Sequence, residues 1–202
     1  MKLYIVDLRT VEDSAETRKM LSGARKAKLD RLKQEKSRRA CIGAELALIQ
    51  AVRENIKDVK IPIEWTVNEN GKPYLPNHPD FHYNISHSGD YAVCAVGESE
   101  TGVDIQEYRK PDMRLAKRRY TEAEYEYTKE NPQPNFFRIW SRKESVLKAA
   151  GIGITIALNS FSVLSDELTL LGKRYRITDV AAPEDGYALS VCEEIRGSEK
   201  RE

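Results

Sequence analysis

FHYNISHSG, residues 81–89, starts as a strand: Phe81, Tyr83 and Ile85 alternate with His82, Asn84 and Ser86. That period of two marks a half-buried strand. Its end, Ser86-His87-Ser88-Gly89, puts two hydroxyls and an imidazole into four residues and reads as a turn. YAVCAV, residues 91–96, is the strand that follows. A turn this polar between two core strands either meets a polar ligand or uses Ser and Gly for backbone reasons alone.

The second strand has an echo. GDYAVCAV (89–96) is matched by DGYALSVC (185–192), and Tyr91 and Tyr187 are 96 residues apart. Trp65 and Phe161 have the same separation, as do Val67 and Val163. A helix precedes the strand group in each half. Chance likeness between strand sequences is the competing explanation, but several agreeing spacings favour an internal duplication. The predicted fold is α+β, with two similar subdomains related by pseudo-twofold symmetry, each a helix packed on a small antiparallel sheet. The subdomains are expected at 1–100 and 101–202. A cleft between two such halves is a preferred ligand site.

The remaining pattern fills in around this pair. MKLYIVDLRT has a short apolar stretch followed by charges, so it reads as a first strand and not as a secretion signal. Residues 12–33 are charged and helical in pattern, and 34–55 form a strong helix with Ile42, Leu46, Ile49 and Val52 on one face. Strands are expected at 63–67, near Tyr74, at 101–106, near 160–164, and at 173–178 and 186–192. Helices are expected within 112–130 and at 135–150.

Composition narrows the classes. With 40% hydrophobic and 32% charged residues, the 202-residue chain suits a globular protein. A net charge of +1 argues against wholesale binding to nucleic acid, and no apolar run approaches a membrane span. Three cysteines, Cys41, Cys94 and Cys192, lie far apart and odd in number. They fit buried thiols in a reducing, cytoplasmic setting better than a disulfide framework or a zinc site.

Two stretches carry candidate chemistry. In GVDIQEY (102–108), Asp104 and Gln106 share one strand face while Val103 and Ile105 share the other. A carboxylate at a buried strand end needs a partner or a metal, whereas a surface Asp on an edge strand needs neither. In WSRKESVLKAAG (140–151), Trp140, Glu144 and Lys148 recur every four residues and form one helix stripe at the border of an apolar face. An exposed Glu–Lys pair worth roughly 0.2–0.5 kcal/mol is the plain alternative. Basic residues gather at Arg25, Lys26, Lys28 and Arg31, continue through Lys36, Arg38 and Arg39, and recur at Arg114, Lys117, Arg118 and Arg119. Solvated helix faces explain them, and so does a phosphate-rich ligand or an acidic partner. Two carboxylates, a helix lysine, a polar SHSG segment and a basic region together make the set that a magnesium–pyrophosphate site needs.

These motifs, with GKPYLP (71–76) and AKRRYT (116–121), resemble in order and spacing the 4′-phosphopantetheinyl transferase superfamily, in its long, pseudo-dimeric, surfactin-synthetase-activating type. The resemblance implies transfer of the phosphopantetheine arm of coenzyme A to a serine of an apo acyl or peptidyl carrier protein, with release of adenosine 3′,5′-bisphosphate. It implies magnesium held by Asp104, Gln106 and Glu144, with Glu144 as candidate base and Lys148 on the pyrophosphate. Ser86 and His87 would meet coenzyme A phosphates, Lys72 and Pro73 would line the nucleotide site, and Arg25, Lys28 and Arg39 would serve the 3′-phosphate region. The carrier is expected to dock near 110–125. Gln106 departs from the acidic residue common in the family, so the metal is expected to arrive largely with the pyrophosphate. A monomer without nucleic-acid or membrane partners is expected. The rival readings are a different magnesium enzyme, a binding module without activity, and a nucleic-acid binder using residues 25–39.

Overall fold

The computed structural model describes residues 1–153 and 155–196. The first half runs β1 (Lys2–Asp7), α1 (Ala15–Met20), α2 (Gly23–Leu29), α3 (Glu35–Asn55), β2 (Thr66–Val67), β3 (Pro73–Tyr74), β4 (His82–Ser88) and β5 (Tyr91–Gly97). The second half runs β6 (Thr101–Glu107), α4 (Met113–Arg119), α5 (Glu122–Glu130), α6 (Pro132–Ala150), β7 (Glu167–Leu170), β8 (Lys173–Asp179) and β9 (Tyr187–Glu194). The predicted α+β class is what the structure shows.

Each half has a strand, a long helix and then further antiparallel strands. The sheets have the order β1-β5-β4 and β6-β9-β8-β7, so the first strand of each half pairs with its last. α3 covers the first sheet and buries Ile42, Leu48, Ile49 and Val52 against Tyr4, Val6, Ala92 and Cys94. α6 covers the second and is closer still to its strand. A side-chain carbon placed on Gly102 would stand 2.0 Å from the Ser145 carbonyl oxygen, so only glycine lets helix and strand backbones meet there.

The two sheets face one another across a third apolar cluster. Tyr91, Val93 and Ala95 of β5 meet Val103, Ile105, Leu189 and Val191 of the other sheet. Tyr91 and Tyr187 touch edge-to-face, with ring centroids 5.3 Å apart. A hydrogen-bonded seam runs beside this cluster. Asn84 Oδ1, Ser86 Oγ and Ser88 Oγ on one face of β4 accept the backbone N–H groups of Val103, Ile105 and Glu107 on β6.

That seam corrects the reading of Ser86-His87-Ser88 as a turn. The ladder to β5 continues through Ser88, and only Gly89 and Asp90 remain in the loop. Gly89 has a φ of +58° and lies against the Tyr187 ring, which leaves no room for a side chain. The strand expected near 160–164 is also replaced, by a short 3-10 turn at Leu158–Ser160 and an irregular run. Its backbone groups bond to buried side chains rather than to a neighbouring strand. Lys143 Nζ donates to the Leu158 and Phe161 carbonyls, Arg142 donates to those of Val163 and Ser165, and the Val163 N–H donates to Glu124. Such groups must be paired somewhere, and here side chains supply the partners.

Candidate active site

Three elements converge at the rim of the seam. β6 brings Asp104, α6 brings Glu144 and Lys148, and β4 brings Ser86. Most of α6 is buried, and Trp140, Glu144 and Lys148 form its half-exposed line, the stripe expected from their spacing.

Asp104 is 2% exposed. Its Oδ1 accepts from Lys148 Nζ at 2.5 Å and from Ser86 Oγ at 2.8 Å, and its Oδ2 accepts from Gln106 Nε2 at 2.7 Å. Lys148 Nζ also donates to the Val103 carbonyl at 3.0 Å and to Ser86 Oγ at 3.1 Å. Ser86 is therefore a bracket that holds both members of the pair. Gln106 sits on the expected strand face, but it turns its amide nitrogen to Asp104 rather than its oxygen.

Glu144 differs from everything around it. Its carboxylate makes no hydrogen bond among the described residues, although the residue is half-buried. Burial raises its pKa, the nearby Asp104 adds to the rise, and Lys148 opposes it. It lines a cavity of about 240 Å³ together with Lys148, Lys72, Pro73, Asn84 and Ile85. Lys72 is tied at one end to Glu100 and to the Ala149 carbonyl oxygen at 3.1 Å.

His87 is an exposed residue whose ring is crowded by neighbouring groups. That crowding lowers its pKa, and Lys28, Lys148 and Arg25 lower it further while Asp104 opposes. The ring is neutral at neutral pH, so it offers a hydrogen bond in a field made positive by three cations. Lys28 is exposed and makes no ion pair among the described residues. Arg25 is held by Glu45, which the sequence reading did not single out. The available signal was a carboxylate between Ile42 and Ile49 on an otherwise apolar helix face. Asn84 and Ser88 were also missed, because strand alternation alone does not tell which polar face meets another strand. Arg39 is placed apart from this group: it pairs with Glu35 and lines a separate cavity of about 340 Å³ with Leu8, Arg9, Lys36 and Asp90.

The donor set suits a hard, oxygen-seeking cation. Two carboxylates face one region and one of them has no protein donor. Among the described residues no cluster of three His, Cys, Asp or Glu side chains is present. A magnesium ion that takes one or two carboxylates and completes its shell with water and phosphate oxygens fits such a set. Paired carboxylates and a lysine beside a group of cations are the equipment of phosphoryl-type transfer.

Comparison with known proteins bears on the same chemistry. A family model described as "4'-phosphopantetheinyl transferase superfamily" matches residues 100–192, and one described as "4'-phosphopantetheinyl transferase, N-terminal" matches residues 10–99. A 4′-phosphopantetheinyl transferase of Bacillus subtilis is 34% identical over 171 residues, covering 81% of this chain and 76% of its own. Psf-1 of Bacillus pumilus is 29% identical over 216 residues, covering 95% and 89%. Sfp of Bacillus subtilis strain 168 is 38% identical over 108 residues, covering 52% and 48%. The chain belongs to the 4′-phosphopantetheinyl transferase superfamily, in the branch of the Sfp-like Bacillus enzymes. No helix among the described residues is long and apolar enough to cross a membrane.

Proposed function

We propose that the chain transfers the 4′-phosphopantetheine group of coenzyme A to a serine hydroxyl of an apo acyl or peptidyl carrier protein and releases adenosine 3′,5′-bisphosphate. The observation that carries this reading is Glu144, an unpartnered, half-buried carboxylate beside the Asp104–Lys148 pair on a cavity wall, in a chain of this family.

Asp104 and Glu144, with Gln106 at their flank, are the residues that would hold magnesium. When bound, magnesium supplies positive charge to the pyrophosphate. Glu144 takes the proton of the carrier serine as its oxygen bonds to the β-phosphorus, and the bond from that phosphorus to the bisphosphate breaks. Its raised pKa makes it a stronger base than an ordinary glutamate. Metal ligation draws on the same oxygens, so the two roles of Glu144 compete. Lys148 stabilises charge on the departing bisphosphate. Ser86 keeps Asp104 and Lys148 in register rather than reaching out to the ligand. Arg25 and Lys28 supply the positive charge, and His87 a hydrogen bond, for the 3′-phosphate end, and Lys72 and Pro73 wall the nucleotide side.

On this reading residues 1–100 supply the nucleotide contacts and 101–202 supply the metal ligands and the catalytic helix. The carrier docks along α4, where Arg114, Lys117 and Arg118 are exposed. The three cysteines are free and buried, in keeping with a reducing cytoplasm, and one chain carries both halves of the site, so the working unit is a monomer. The test is mass spectrometry of apo carrier proteins incubated with coenzyme A and magnesium. A gain of one phosphopantetheine on the carrier serine is expected. Carriers left unmodified by a chain that binds coenzyme A would point to a binding module instead.

A further inference from the structure

Glu45 lies in the middle of α3, on the face that packs the first core, and is 0% exposed. A buried carboxylate is costly unless donors surround it. Here Oε1 accepts the Ser22 backbone N–H, while Oε2 accepts from Ser22 Oγ at 3.1 Å, Arg25 Nε at 2.8 Å and Trp65 Nε1 at 3.3 Å. An apolar residue would fill the same core position without needing any of them.

The consequence falls on Arg25. Its side chain is 11% exposed, its Nε is fixed by Glu45, and its guanidinium stands over the Trp65 ring at 5.4 Å. Its two terminal nitrogens make no hydrogen bond to the described residues and are not sealed from solvent. A guanidinium fastened at one edge and braced by an indole has its other edge available for an anion. The exposed Lys28 lies on the same helix, and His87 feels both cations.

We propose that Glu45 is a positioning residue, which holds Arg25 through Nε so that its terminal nitrogens engage the 3′-phosphate of coenzyme A. Ser22 and Trp65 complete the mount. This rests on the coenzyme A reading above.

Calorimetric titration of the full-length protein with coenzyme A and with 3′-dephospho-coenzyme A tests it. The unmodified protein is expected to prefer coenzyme A. Arg25→Ala is expected to lose that preference, and Glu45→Gln to weaken coenzyme A binding about tenfold or more while leaving 3′-dephospho-coenzyme A unaffected. In turnover, KM for coenzyme A rises in Glu45→Gln and kcat at saturation stays. Arg25→Lys tests the mount without touching the buried residue. An ammonium held at Glu45 stops short of the places the two terminal guanidinium nitrogens occupy and lacks their planar fork, so most of the preference is lost. If Arg25→Ala keeps the preference, the assignment of the phosphate to Arg25 fails and the proposal falls with it. If Arg25→Ala loses it while Glu45→Gln or Arg25→Lys retains it, Glu45 only supports the fold and the proposal alone is overturned.

Discussion

The two halves place a glutamate on each long helix and treat it in opposite ways. Glu45 on α3 is fully buried and receives hydrogen bonds from three residues, Ser22, Arg25 and Trp65. Glu144 on α6 is half-buried, receives none from the described residues, and faces a second carboxylate. Both helices lie on antiparallel sheets of like strand order. The difference is therefore in the partners and not in the frame. One carboxylate is saturated and fixes Arg25 through Nε, while the other is left without a donor at a cost to stability, a pattern frequent at functional sites.

The largest effect expected from breaking this contrast is on turnover. Glu144→Gln keeps the shape but removes the proposed base, and carrier modification should fall by about 10²–10⁴-fold. Near-normal transfer would remove Glu144 from the mechanism. Glu45→Ala should instead lower the free energy of unfolding by about 3–5 kcal/mol, because it leaves a largely buried Arg25 without its counter-ion. Urea titration of the two variants should thus separate an enzyme defect from a folding defect.

Glu144→Gln should also melt higher than the unmodified protein at neutral pH. The folded-state pKa of Glu144 is raised, through burial and then Asp104, so ionising it disfavours the folded state. The variant's advantage is complete above that raised pKa. It fades as pH falls toward the ordinary glutamate value, below which the residue is protonated in both states. Melting curves across this range check the sign, and an advantage that grows on acidification would contradict the assignment. Smaller is the effect of Ser86→Ala, which leaves Asp104 its lysine but strands the Ile105 N–H. A loss of about 1–3 kcal/mol in stability is expected, with a drop in kcat smaller than that of Glu144→Gln. Smallest at physiological salt is reversal of Arg114, Lys117 and Arg118. It should slow carrier association chiefly at low ionic strength, and stopped-flow rates that ignore salt would exclude docking there.

Much of this was readable from spacing. The period of four in Trp140, Glu144 and Lys148 became the half-exposed line of α6, and the alternation of Asp104 with Val103 and Ile105 became a carboxylate turned from the inter-sheet cluster. The echo of Tyr91 in Tyr187 became a contact between their rings. Two of the misreadings, the turn at Ser86–Ser88 and the strand near 160–164, share one cause, which is side chains bonding to backbone across distant segments. Nothing in the sequence singles out Arg142 and Lys143, yet both are buried and satisfy carbonyls of 158–165, a run that includes the strand expected near 160–164. β7 was missed because the two-residue turn that joins it to β8, Leu171-Gly172, has a leucine at a φ of +51° where Asn, Asp or Gly is the usual signal. Glu45 was hidden because its partners lie 20 or more residues away.

The comb of Asn84, Ser86 and Ser88 also acts as an alignment gauge. Sliding β4 by a single residue against β6 would present Tyr83, Ile85 and His87 in its place. Three amide hydrogens would then lose their acceptors, at about 1–3 kcal/mol each, a sum comparable to the whole stability of a typical domain. The depth at which Asp104 meets Lys148 is thus indexed by the same teeth that close the exposed borders of both sheets.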